Sequence, residues 1–183
     1  MPIDGLMKEG NARVVIDEAI FPKIAAGDNE AMRGLYEISY KPVFALLLSF
    51  TQNYHDAEDL LQETYINIRR GADLYQPRGN PMAWIMKIAR NVFLSYRRSG
   101  KLRQYVEFEE VENRIPLEKM NEVEDRILIA QMMKVLNEDE RSILILHIVD
   151  GMKFREIGDI LDKPTGTVLS MYHRGLKKLR KSL

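Results

Sequence analysis

The last thirty residues, FREIGDILDKPTGTVLSMYHRGLKKLRKSL (Phe154 to Leu183), constrain the fold most strongly. Phe154, Ile157, Ile160 and Leu161 recur at helical spacing and mark one buried face of a short helix. Asp162, Lys163, Pro164 and Thr165 break that pattern, and Pro164 suits the first turn of a second helix. There Val168, Tyr172, Gly175 and Leu179 form a narrow apolar seam. Gly158 and Gly175 remove side-chain bulk where helices are expected to cross closely. Six basic residues follow Asp162 with no acid among them: Lys163, Arg174, Lys177, Lys178, Arg180 and Lys181. A short helix, a tight turn and a basic second helix fit the major groove of DNA. The same pattern also fits a helical hairpin with a solvated basic tail.

The net charge of zero conceals a strong segregation. Residues 1–60 carry −5, residues 81–103 carry +6, residues 104–126 carry −5, residues 127–162 carry −3 and residues 163–183 carry +6. Two cationic blocks separated by acidic chain are what gripping a polyanion at two places requires. Gln104 to Asp125, acidic and interrupted by Pro116, reads as a linker between an N-terminal and a C-terminal helical unit. Strand patterning is weak throughout, so the expected fold is all-α, in two small helical domains.

Several function classes find no support. The chain has no cysteine, and His55, His147 and His173 are far apart, so neither a disulfide framework nor a metal-ligand set is suggested. No metal, cofactor or catalytic constellation is expected, and the chain does not read as an enzyme. No apolar run approaches a membrane span, and the first residues lack a signal-peptide core, so membrane insertion is not expected and the reading is cytoplasmic.

Four helices are expected in the N-terminal unit. The first covers Ala12 to Ala26. The second, capped by Asp28 or Asn29, runs to about Ser39, where Pro42 starts or kinks the segment VFALLLSFTQ. The third, Asp56 to Arg70, buries Ala57, Leu61, Thr64 and Ile68 and turns outward Asp56, Asp59, Gln62 and Glu63 with an exposed Leu60. Acids near a helix N-terminus are also favoured by its dipole alone. After the loop GADLYQPRG, Asn80 caps the fourth helix with Pro81 at its first position. Ile85, Ile88, Ala89, Val92 and Tyr96 face inward there, while Lys87, Arg90, Asn91, Leu94, Arg97 and Arg98 occupy much of the remainder. An amide among cations suits nucleic acid, since amides read base edges while cations hold phosphates. Tyr75 and Trp84 either offer stacking surfaces to unstacked bases or serve as packing residues.

Taken together, DAEDLLQETYINI (Asp56 to Ile68), NPMAWIMKIARNVFLSYRR (Asn80 to Arg98) and the segment Leu136 to Leu183 resemble bacterial RNA polymerase sigma factors. The order and separation of the three motifs resemble the small extracytoplasmic-function (ECF) class of the sigma-70 family, which keeps only regions 2 and 4. The resemblance implies an N-terminal tail (1–15), region 2 (16–100), an acidic linker (101–125) and region 4 (126–183). It implies core polymerase as partner, with Asp59, Gln62 and Glu63 docking on the β′ coiled coil and region 4 touching the β flap. It implies that Lys87, Arg90, Asn91, Arg97 and Arg98 hold the opened promoter −10 element, with Gly71 to Asn80 capturing a flipped base. Thr167, Ser170, His173, Arg174 and Lys177 are the implied −35 contacts. An anti-sigma factor wedged between the regions is a further implied partner. Where the family commonly reads GTVKSR, this chain reads GTVLSM, so Leu169 and Met171 stand in place of two frequent cations. No third helical domain and no long regulatory C-terminal extension are expected. The rival reading, a regulator with a dimerising N-terminal module, explains neither the acidic third helix nor the second basic block.

Overall fold

The computed structural model describes residues 14–77, 79–101, 134–148 and 150–182. Most of the expected tail and most of the linker lie outside these residues, as do the first two residues of the expected first helix; residues 14–19 of that helix are turn and irregular chain, and it begins only at Ile20. Among the described residues every regular element is helical: α1 (Ile20–Ala25), α2 (Asn29–Thr51), α3 (Tyr54–Gly71), α4 (Pro81–Arg98), α5 (Glu138–Ile148), α6 (Phe154–Leu161) and α7 (Thr165–Ser182). A 3₁₀ turn over Ala72–Leu74 opens the segment expected to be loop.

Side chains that compete for backbone donors set the helix starts. Asp28 accepts from the amides of Glu30 and Ala31 at 2.9 and 3.1 Å, Asn53 from Asp56, and Asn80 from Ala83 with Pro81 following. Each such cap contributes about 1 kcal/mol. At α5, Asn137 accepts from the Glu140 amide while Glu140 accepts from the Asn137 amide, a reciprocal capping box.

Pro42 neither starts a new helix nor ends the old one, because α2 runs through it for 23 residues. An internal proline costs about 3 kcal/mol. The residues beyond it offset that cost: Val43, Leu46 and Leu47 are fully buried, and burial of each such side chain contributes about 1.5–3 kcal/mol. Leu48, Ser49, Phe50 and Thr51 are buried as well, so this half of α2 is enclosed around most of its circumference, with Ala45 half-buried. α3 and α4 cover part of it, and α5 covers another part. Arg141 of α5 donates Nε–H to the Ser49 carbonyl at 3.0 Å, satisfying an acceptor near the helix end, and Ser142 Oγ lies 3.3 Å from Ser49 Oγ. The C-terminal helices thus dock on the N-terminal ones.

In the C-terminal unit the expected seam of α7 is buried. A Cβ on Gly175 would meet Leu144 Cδ1 at 3.0 Å, so that glycine does serve a close crossing, with α5. Gly158 serves a different need. Its added Cβ would lie 2.6 Å from the Lys163 carbonyl oxygen, so the turn folds back over it while Asp162 takes a left-handed conformation (φ 51°).

Asp150, in the connection between α5 and α6, is 4% exposed, and its Oδ2 has no hydrogen-bond partner among the described residues. Burial pushes its carboxyl up to about 8. The folded chain therefore binds a proton that the unfolded chain releases near pH 4, and stability is lost as pH rises from about 4 to about 8. Asp150→Asn should raise Tm at pH 8 and leave it nearly unchanged at pH 4, flattening a slope of up to about 1.4 kcal/mol per pH unit. An equal Tm change at both pH values in thermal unfolding would refute this assignment.

Candidate nucleic-acid interface

α4 presents the first candidate surface. Met82, Ile85, Met86, Ala89, Val92 and Phe93 are buried, which leaves Lys87, Asn91, Arg97 and Arg98 exposed on the other side. Met86 and Phe93 were missing from the inward set expected from the sequence. Tyr96 is inward as expected, its hydroxyl donating to Asp56 Oδ1 at 3.1 Å. Asp56 is consequently buried and does not belong to the outward acidic face.

Three of the five expected −10 residues are already engaged. Arg90, whose side chain is 16% exposed, donates to Asp162 Oδ2 at 2.5 Å and to the Leu161 carbonyl at 3.1 Å. Lys87 Nζ lies 3.9 Å from the same carboxylate, and Arg97 pairs with Glu138 Oε1 at 3.2 Å. Asn80, at the start of α4, donates to Glu156 Oε1 at 2.9 Å. All three acids, Asp162, Glu138 and Glu156, come from the C-terminal helices or the turn between them. Burial raises the Glu138 carboxyl above its usual range while Arg97 opposes the rise. A cleft of about 500 Å³ separates the units here, lined by Arg90, Arg97 and Lys163 together with Glu138 and Asp139.

The second surface is on α7. Ser170, His173, Arg174 and Lys177 are exposed and Thr167 is half-buried, at spacings that share one helix side. Ser170 donates its hydroxyl to the Gly166 carbonyl at 2.9 Å and retains oxygen lone pairs as acceptors. α7 packs on α5 and α6, so its outward side is not the side that meets the N-terminal helices. Met171 packs against the core, which leaves Leu169 as the apolar residue nearer solvent.

α3 carries the acidic surface. Asp59, Gln62 and Glu63 are exposed, and Ile66 continues that stripe at 44% exposure. Leu60 was expected on this face but is 3% exposed, because the buried stripe is two residues wide and takes in Leu60 with Leu61, and Thr64 with Tyr65. Ile66 was missed, although its three-residue spacing from Glu63 puts it in register. Tyr65 is held by Ser39, whose Oγ lies 2.6 Å from its hydroxyl, and burial raises that hydroxyl's pKa.

Tyr75 and Trp84 are packing residues. Phe21 stacks on Tyr75 with ring centroids 3.9 Å apart, and Trp84 meets both rings edge-on at 5.2 Å. Among the described residues no group of acids and histidines could hold a metal ion, and no helix is long and apolar enough to cross a membrane.

Comparison with known proteins assigns both helical units to one family. Residues 35–103 match Sigma-70 region 2, and residues 126–179 match Sigma-70, region 4. The chain is 35% identical over 166 residues to ECF RNA polymerase sigma factor SigE of Mycolicibacterium smegmatis, covering 85% of this chain and 64% of that protein, just under two thirds of its length. It is 26% identical over 174 residues to ECF RNA polymerase sigma factor SigW of Bacillus subtilis, covering 88% of this chain and 93% of that one. Its fold is similar to that of sigma factor RpoE of Bartonella quintana, solved with the anti-sigma factor NepR (TM-score 0.64, 20% identity, 81% of this chain and 94% of that one). It is also similar to CnrH, solved with the cytosolic domain of CnrY (TM-score 0.65, 19% identity, 90% of this chain and 95% of that one). With both helical units matched in order, and ECF sigma factors as relatives along most of its length, the chain belongs to the sigma-70 family of RNA polymerase sigma factors, in its ECF group.

Proposed function

We propose that this chain binds core RNA polymerase inside the cell, directs it to promoters and helps open the −10 element, without catalysing a reaction itself. The observation that supports this best is the outward side of α4, where Asn91 stands among Lys87, Arg97 and Arg98, with Arg90 beside them in its pair with Asp162. Region 2 is assigned to residues 16–100 and region 4 to residues 126–183. Asp59, Gln62 and Glu63 contact the β′ coiled coil, and Ile66 extends that contact. Cations on α4 track the backbone of the opened strand and Asn91 reads an accessible base. Thr167, Ser170, His173, Arg174 and Lys177 meet the −35 duplex, with Leu169 available to a thymine methyl group. RpoE of Bartonella quintana was solved with an anti-sigma factor; a partner of that kind for this chain would wedge between the two units.

In vitro transcription with core polymerase tests the division of labour. Asn91→Ala should reduce permanganate-reactive thymines in the −10 region about tenfold, the loss of one base contact worth about 1–3 kcal/mol, with −35 binding unchanged. Arg174→Ala should weaken use of the −35 element and spare core binding. If Arg174→Ala blocks melting and Asn91→Ala affects only duplex recognition, the assignment is reversed.

A further inference from the structure

One carboxylate from outside region 2's matched segment ties down the segment between α3 and α4. Glu18, just before α1, accepts at a single oxygen, Oε1, from the Tyr75 hydroxyl at 2.9 Å and from the Gly79 amide at 2.6 Å. The two donors are four residues apart, so the carboxylate closes this stretch from both ends. Each end is fixed further. The Tyr75 ring is stacked on Phe21, and Gly79 adopts φ 72°, which a side chain would disfavour. Asn80 then caps α4, so the second tie adjoins the start of the DNA-facing helix. Between the ties, Gln76 and Pro77 are exposed. Phe21 is wholly buried and already anchors this corner by packing, so α1 does not need Glu18 for its own core.

We propose that Glu18 is a positioning residue for promoter selection, setting the shape of the Gly71–Asn80 segment in which one −10 base is read. This rests on the reading of that segment as the site that receives a flipped base. A flipped base is recognised through hydrogen bonds to its Watson–Crick edge, and the Gln76 amide has both the donor and the acceptor for this. Such recognition needs the reading group held in one place, because a loosely held amide satisfies several bases equally well. Glu18 supplies that restraint without touching DNA.

The test uses holoenzyme assembled from core polymerase and the full chain, on promoters randomised across the −10 element, with initiation scored for each base. Glu18→Ala should flatten preference at one −10 position by about tenfold or more, the loss expected when a hydrogen bond to a charged group is removed. Core affinity and −35 use should stay within about twofold of the parent chain. Glu18→Gln keeps an oxygen acceptor and should retain most of the preference, while Tyr75→Phe removes one tie and should fall between. A uniform loss of initiation at every base, together with a lower Tm, would overturn the proposal and leave Glu18 as structural support alone. Preference flattened by Gln76→Ala but not by Glu18→Ala would also overturn it, with the base-capture reading intact. If neither substitution changes base preference, the base-capture reading fails and takes this proposal with it.

Discussion

A chain carrying Asp59→Lys and Glu63→Lys should lose about 100-fold or more of its affinity for core polymerase while keeping its helix content. Both side chains are exposed on α3, and the residues that hold α3 in the fold, Ala57, Leu60, Leu61, Thr64, Tyr65 and Ile68, are on the other side. The substitutions therefore change the docking surface without entering the core. Like charges brought together across an interface cost several kcal/mol, and each 1.4 kcal/mol is tenfold in affinity. Ile66 sits on the same stripe, so Ile66→Ser should weaken docking by a smaller factor and without salt dependence. Pull-down or fluorescence titration with core, checked by circular dichroism, measures both. Normal core binding by the doubly reversed chain would remove α3 from the polymerase interface.

The second large effect concerns the free chain. Lys87, Arg90 and Arg97 are paired with Asp162 and Glu138, so an opened −10 strand must displace acids that already occupy its phosphate-binding groups. The free chain should be compact, with weak affinity for isolated promoter DNA, and the −10 surface should be the more suppressed of the two. Glu138→Gln with Asp162→Asn neutralises the competitors, and asparagine tolerates the left-handed backbone at position 162. Exposed ion pairs contribute only about 0–1 kcal/mol each, so affinity for a single-stranded −10 oligonucleotide should rise about threefold to tenfold. The gain should shrink in high salt, because the cations released then compete with counterions for the strand. Fluorescence anisotropy at two salt concentrations decides the matter. Unchanged affinity in the double variant would mean that these contacts do not restrain DNA binding.

Much of the fold was legible because it is local. Asp28 and Asn80 sit where their side chains can reach amides two or three residues ahead, so those helix starts could be read from neighbours in the chain. The turn between α6 and α7, and the α7 seam, followed from periodicity for the same reason. Other features depended on what packs against what. Nothing within VFALLLSFTQ says that α2 continues through Pro42; that depends on partners from α3, α4 and α5 enclosing the residues beyond it. Leu60 and Leu61 are adjacent in sequence, and whether one or both are buried depends on the width of the surface that α3 meets. Asp56 is drawn inward by Tyr96, forty residues away.

The sequence by itself determined the all-α class, the caps at Asp28 and Asn80, the helix-turn-helix at the C-terminal end and the segregation of charge into two cationic blocks, since each is a property of residues near one another along the chain. Only the tertiary structure decided which acids face which cations. Asp162 and Arg90 are 72 residues apart, and formal charge carries no direction, so the acidic balance of residues 127–162 was legible but its targets were not. Docking of α5 on the enclosed half of α2 carries Glu138 and Asp162 to α4, and burial of apolar surface, not attraction between the charges, supplies most of the energy that holds them there.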